Sequence, residues 1–308
     1  MKALIFLLIP LFIFQFCEGQ TMKGFDLSNA SIPVSEIKDG GPPRDGIPSI
    51  DFPNFINSDA ATLKDTDRIL GVSFNGIAKA YPINILNYHE IVNDFFDGAP
   101  VAVTYCPLCG SGIAFDATIQ GNRKTFGVSG LLYNSDVLLY DRETETLWSQ
   151  LLYEAVAGPL KGTNLQILPT ANTTWKNWKE RYPNTLVLSK DTGFNRNYSR
   201  NPYPGYDNSD AIYFPLANYD DRYPPKEYVI GIEVNGKFKA YPFSELDKLN
   251  KKEFTDVFQD KAFRIVYDSE AKSAEVFDEN GNAYPAVTNF WFAWVAFHPD
   301  TFVFQGSE

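Results

Sequence analysis

The residues of this chain with the most specific chemistry are Cys106 and Cys109, in the segment Tyr105-Cys-Pro-Leu-Cys-Gly110. Two thiolates separated by two residues, with a glycine opening the turn after the second, converge with the turn's backbone N–H groups on one soft cation. A thioredoxin-type dithiol would instead place its first cysteine at a helix N-terminus, where the thiol pKa is depressed. Here Gly110-Ser111-Gly112 follows, which argues against a helix. The soft or borderline ligands that remain after the leader described below are His89 and His298. The pattern therefore predicts a site for Cu(I) or Zn(II) held by Cys106, Cys109 and His89, either with an open position or closed by His298. Glu90, next to His89, is a candidate acid or base.

Two other readings of the pair stand beside this one. As a thiol-disulfide oxidoreductase the protein would cycle the dithiol against a partner protein or small thiol, with His89 or Glu90 as base. As a carbohydrate- or protein-binding module it would use its aromatic residues, and the cysteines would form a plain structural disulfide.

The elements that must position these residues repeat along the chain. Arg68 to Pro82 (RILGVSFNGIAKAYP) and Tyr228 to Pro242 (YVIGIEVNGKFKAYP) share Gly, Asn-Gly and Lys-Ala-Tyr-Pro in register. Each predicts a β-hairpin, since Asn-Gly supplies the positive φ of a type I′ turn. Downstream, Tyr105 and Phe115-Asp116 match Tyr267 and Phe277-Asp278, and Trp175, Trp178, Pro183 and Thr185 match Trp291, Trp294, Pro299 and Thr301. The expected fold is α+β and mainly antiparallel β: two related repeats of hairpin and meander, with short helices after each Tyr-Pro and around each Trp-x-x-Trp. Strands are expected at Val101 to Tyr105 and Ile113 to Phe115, flanking the cysteine turn, and at Glu90 to Phe96. Thr173 or Thr174 is the expected N-cap of the helix at Trp175 to Arg181.

The expected organisation is a signal peptide over residues 1–19, an N-terminal arm over 20–66, a first repeat over 67–190, an inter-repeat loop over 191–226 and a second repeat over 227–308. Where the first repeat has its cysteines the second has Asp268 and Ala271, so the fold does not require them. His89 likewise has no histidine opposite it. His298 takes the place of Tyr182 in the shared aromatic motif, where packing is its simplest role. An insertion from about Ala117 to Ala171 occurs only in the first repeat. It carries Asn134, Ser135, Asp136, Asp141, Arg142, Trp148 and Gln150, polar residues unlike ordinary core. Asp141 and Arg142 are candidates for contacts to a cofactor, the plainer reading being a turn with a local ion pair.

At the N-terminus, Lys2 precedes an apolar run from Ala3 to Phe16, and Cys17 and Gly19 supply small residues before Gln20. This is the layout of a cleaved signal peptide, which predicts a secreted or periplasmic protein without an integral membrane segment; a lipid anchor on Cys17 fits less well. With a net charge of −11 and no basic cluster, nucleic acid is an unsuitable partner. A metal ion, a small molecule or a redox partner protein fits better. The sequons at Asn29, Asn172 and Asn197 matter only where the host glycosylates.

The segments AYPINILNYHEIVND, PVAVTYCPLCGSGIAFD, GVSGLLYNSDVLLYDRETETLWSQ and FWFAWVAFHPDT resemble the family catalogued as domain of unknown function 3179. The resemblance covers nearly all of the expected mature chain. It implies a shared fold and a shared site, and names no reaction. Its His-Glu, Cys-Pro-x-Cys-Gly and Asp-Arg-x-Thr segments fall on His89-Glu90, Cys106 to Gly110 and Asp141 to Thr144. Leu139 stands where the family pattern leads one to expect methionine, so a thioether ligand for copper would be missing here.

Overall fold

Strands Arg68–Phe74 and Ile77–Pro82 pair antiparallel through a turn in which Asn75 and Gly76 have φ of 49° and 75°. Between Tyr228–Val234 and Lys237–Pro242, Asn235 and Gly236 take 53° and 72°. Both central positions of a type I′ turn need this left-handed backbone, which Asn-Gly adopts at low cost. The structure is a computed structural model and describes residues 20–306; the expected signal peptide, residues 1–19, lies outside the described residues.

Four seven-residue helices interrupt the strands: α1 (Ile83–His89), α2 (Trp175–Arg181), α3 (Phe243–Leu249) and α4 (Trp291–Phe297). Helices α1 and α3 start straight after the two Tyr-Pro pairs, and α2 and α4 begin on the first tryptophan of each Trp-x-x-Trp. Thr174 caps α2, its hydroxyl accepting from the amide of Asn177 at 3.4 Å. Among the described residues no helix is long and apolar enough to cross a membrane.

The chain is mostly antiparallel β, arranged as a five-bladed, propeller-like ring. This corrects the expected pair of repeats, which leaves one blade out. The segment expected as an insertion pairs Phe126–Tyr133, Asp136–Asp141, Leu147–Ser149 and Glu154–Ala157 into a blade of its own, and Lys38–Asp39 from the N-terminal arm joins its edge. Alternation within a segment predicts its strands but does not say which larger sheet they close.

Two blades nevertheless share one topology. In the first the order is Thr170–Thr174, Arg68–Phe74, Ile77–Pro82, Leu186–Leu188, with Phe55–Asn57 at the edge; in the second it is Val287–Phe290, Tyr228–Val234, Lys237–Pro242, Phe302–Val303. In each, the strand after the tryptophan helix pairs parallel to the second hairpin strand. The tryptophans explain the glycines: Trp178 covers Gly71 and Trp294 covers Gly231, and each indole N–H donates to a threonine seven residues on, Thr185 or Thr301, at 2.9 Å.

Two further blades are three- and four-stranded meanders. One is Glu253–Phe258, Lys261–Asp268, Ser273–Phe277; the other is Ile91–Phe96, Ala99–Cys106, Ser111–Asp116, with Ile167–Leu168 on its edge. The second carries the cysteine turn. The strand expected at Glu90 to Phe96 starts one residue later, because Glu90 ends α1 in the left-handed conformation (φ 57°).

Candidate metal centre

Cys106 is the last residue of strand Ala99–Cys106 and pairs with Ser111, so the chain reverses over Pro107 to Gly110. Gly110 is left-handed (φ 63°) and lies against the ring of Phe290, which a Cβ would meet at 3.1 Å. The reversal is tied down from both sides. The Cys109 carbonyl accepts from the amide of Phe290 at 2.8 Å, and the Ser111 hydroxyl donates to Gln150 Oε1 at 2.6 Å while Gln150 Nε2 donates to Thr104 at 2.8 Å. Gln150 comes from the insertion blade and Phe290 from the second repeat. Both cysteines therefore sit where three blades meet, inside one apolar cluster with Phe126, Trp148 and Phe292.

A second turn faces them. Between Phe126–Tyr133 and Asp136–Asp141 the two-residue loop Asn134-Ser135 has φ of 53° and 64°. Serine in this conformation is strained, and such strain persists where the surroundings over-determine it. Here they do. Asn134 accepts from the amide of Ala217 at 2.7 Å, Ser135 donates to the carbonyl of Phe214 at 3.0 Å, and the carbonyl of Ser135 lies 3.4 Å from the Cys109 sulfur.

The residue after that loop completes the arrangement. One ligand atom each from Cys106, Cys109 and Asp136 lie within 4.8 Å of one another, and all three residues are buried. Asp136 Oδ2 accepts from the amide of Leu151 at 3.0 Å, whereas Oδ1 is buried with no partner in strict hydrogen-bond geometry and has only the two thiols and the Val137 amide near the carboxylate. Burial raises the Asp136 pKa to about 7. It also pushes both thiols above the ordinary thiol value, Cys109 furthest. An orphaned carboxylate oxygen beside two free thiols, deep in apolar surroundings, is costly unless a cation or proton compensates it.

Glu90 belongs to the same neighbourhood. It is buried, and burial followed by the nearby Asp136 carboxylate raises its pKa to about 8, opposed by a hydrogen bond from Tyr203. Its left-handed backbone is again unusual for the residue type, and the matching helix end of α3 has Asn250, which tolerates it.

His89, expected as the third ligand, is not part of the group. Its Nδ1 lies 2.7 Å from the carbonyl of Pro48 and its Nε2 2.6 Å from the hydroxyl of Tyr198, so both ring nitrogens are committed to protein partners. Burial lowers its pKa, opposed by the hydrogen bond to Pro48. His298 stacks on Phe238 at 3.7 Å in the second repeat and packs on Trp294. Asp141 and Arg142 hold structure instead of facing the centre. The Asp141 carboxylate accepts from the Thr144 hydroxyl at 2.7 Å and the Trp148 indole at 2.9 Å, with Lys124 at 3.6 Å. Arg142 pairs with Asp45 at 3.2 Å and donates to Ser49 at 3.0 Å, tying the N-terminal arm to the insertion blade.

The residue beside the two cysteines that sequence reasoning missed is Asp136. Its signal was present as a cluster of polar residues in an otherwise apolar strand pair, but nothing in the spacing says that this turn packs on the cysteine turn.

No curated protein matches the chain, and no solved structure does. The family model described as "Protein of unknown function (DUF3179)" matches residues 44–301, and the chain belongs to that family.

Proposed function

We propose that this is a metal-thiolate protein whose centre is Cys106, Cys109 and Asp136, with Zn(II) as its ion. The observation that carries the reading is the convergence of the three donor atoms within 4.8 Å, one carboxylate oxygen of the set being buried and unpartnered. A carboxylate in the set favours Zn(II) over Cu(I), which prefers all-soft ligands. Zinc held by Cys106, Cys109 and Asp136 would supply Lewis acidity and lower the pKa of a water bound to it. Glu90, with a pKa of about 8, holds a proton at neutral pH close to the Asp136 carboxylate. The redox reading is less well supported. A nucleophilic thiol needs a lowered pKa and access, whereas these two are raised and buried.

The leader over residues 1–19 supports export to a compartment outside the cytoplasm. The shared topology of the two hairpin blades supports a duplication in which one copy alone kept the centre.

Metal analysis of the wild type, Cys106→Ser with Cys109→Ser, Asp136→Asn and His89→Gln tests the assignment. One equivalent of zinc is expected in the wild type and in His89→Gln. The double variant should carry none, and Asp136→Asn should bind at least about 100-fold more weakly. Cobalt(II) substitution should give a thiolate charge-transfer band that the double variant lacks. Metal-free wild type with both thiols oxidised sinks the proposal.

A further inference from the structure

A cavity of about 510 Å³ lies against the outer side of the cysteine turn, with Tyr105, Pro107 and Phe290 in its wall. Four cationic side chains, Lys64, Arg68, Lys190 and Arg200, converge on it against two carboxylates, Asp67 and Asp207. That balance is the reverse of the chain's net charge of −11. Among the described residues, none of the four cations is held in a salt bridge. In a chain with 38 acidic and 27 basic residues, unpaired cations gathered at one concave place mark a site for negative charge.

Arg68 is the fixed point of this arrangement. Its guanidinium donates to the carbonyls of Ala271, Lys272 (3.2 Å) and Asn172 (2.9 Å), and to the Asn172 side chain. These acceptors are neutral: they orient the fork and leave its charge uncompensated. Desolvation lowers its pKa, offset by the phenols of Tyr228 and Tyr105, which stand beside it in the same wall. These four bonds take both terminal nitrogens, so Arg68 contributes a fixed positive charge and its Nε–H, beside two phenol hydroxyls. The volume also exceeds what a bare oxyanion fills, since one water occupies about 30 Å³. The remaining space is lined by the amides of Asn87 and Asn201 and by tyrosine rings, which suit hydroxyl groups on a compact carbon frame.

We propose that this cavity binds a small hydroxylated organic anion, carboxylate- or phosphate-bearing, with its anionic group held by Lys190 and Arg200 beside the Arg68 charge. The inference goes beyond the metal centre: none of the residues that carry it is a metal ligand. It takes the centre's reading only in placing such a molecule next to the cysteine turn.

Calorimetric titration of the full chain with glucuronate, glucose 6-phosphate and glucose, at fixed ionic strength, is the test. Saturable binding is expected for at least one anionic hexose, with glucose at least tenfold weaker, and the tighter anion identifies the anionic group. Arg68→Met should weaken binding at least tenfold. Because Arg68 also ties strands together, Lys190→Met with Arg200→Met serves as the second variant; both residues are exposed, and a several-fold loss is expected. Repeating the titration in Cys106→Ser with Cys109→Ser separates the two proposals, since anion binding should survive there whatever becomes of the metal. Equal binding of glucose, no saturable binding of either anion, or unchanged affinity in both sets of variants overturns the inference.

Discussion

Nε2 of His89 lies 2.6 Å from the hydroxyl of Tyr198, and that hydroxyl also meets Thr192 Oγ1 at 2.5 Å. With Nδ1 on the carbonyl of Pro48, the imidazole joins the end of α1 to the N-terminal arm and to the inter-repeat segment. The arm and the segment that it holds each occur once in the chain. His89→Ala should lower stability by about 1–3 kcal/mol, the cost of leaving buried partners unpaired. Denaturant unfolding measures that loss, while metal stoichiometry should not change.

Lys226 holds the segment that covers the cysteines. Its ammonium donates to the carbonyls of Tyr206 (3.0 Å), Ser209 (3.3 Å) and Ala211 (2.9 Å), and it lies 3.3 Å from the centre of the Tyr206 ring. Tyr206 in turn packs in the apolar cluster of Cys106 and Cys109. Residues 195–226 form neither helix nor strand, so side-chain contacts such as these, with those of Asn134 and Ser135, hold the segment. Lys226→Met should open the segment locally and raise the rate of thiol alkylation about tenfold, as a local loss of about 1.4 kcal/mol implies. An unchanged rate in a folded variant would show that the segment is held by other contacts.

Burial lowers the pKa of His298 to about 3, and its Nε2 has no hydrogen-bond partner. The unfolded chain, with an ordinary histidine near 6.5, binds the proton first as pH falls. This contribution to stability is therefore complete above pH 6.5 and is lost progressively from there down towards pH 3. At pH 4.5, two units below the unfolded value, the loss amounts to about 3 kcal/mol. His298→Phe should remove that part of the acid sensitivity, read as a smaller difference between urea midpoints at pH 7 and pH 4.5.

A Cβ on Gly231 would sit 2.2 Å from the Trp294 ring, and one on Gly71 would sit 2.4 Å from Trp178. Both indoles are buried and hydrogen-bonded to threonine, so neither can step aside cheaply. Gly231→Ala and Gly71→Ala should each cost about 1–3 kcal/mol or more through overpacking. Thermal unfolding of the two variants checks it, and similar losses are expected because the two positions are built alike.

The sequence alone determined everything in this protein that depends on neighbours along the chain. Asn75-Gly76 and Asn235-Gly236 specify their hairpins because positive φ is a local demand, and Thr174 caps α2 because its hydroxyl reaches an amide three residues on. The cysteine turn was legible for the same reason: Gly110 supplies the left-handed residue that lets strand Ala99–Cys106 reverse into Ser111–Asp116.

Tertiary structure decided the rest. The insertion forms a fifth blade, and Lys38–Asp39 reaches its edge from more than 90 residues away along the chain. The partner of the cysteines was decided in the same way. His89 is nearer in sequence and the better ligand type, yet α1 directs it to Pro48 and Tyr198, while the strained turn at Asn134-Ser135 delivers Asp136. No periodicity encodes that meeting, because it arises from the packing of separate sheets around a shared apolar cluster, and that packing is set by the summed fit of many side chains.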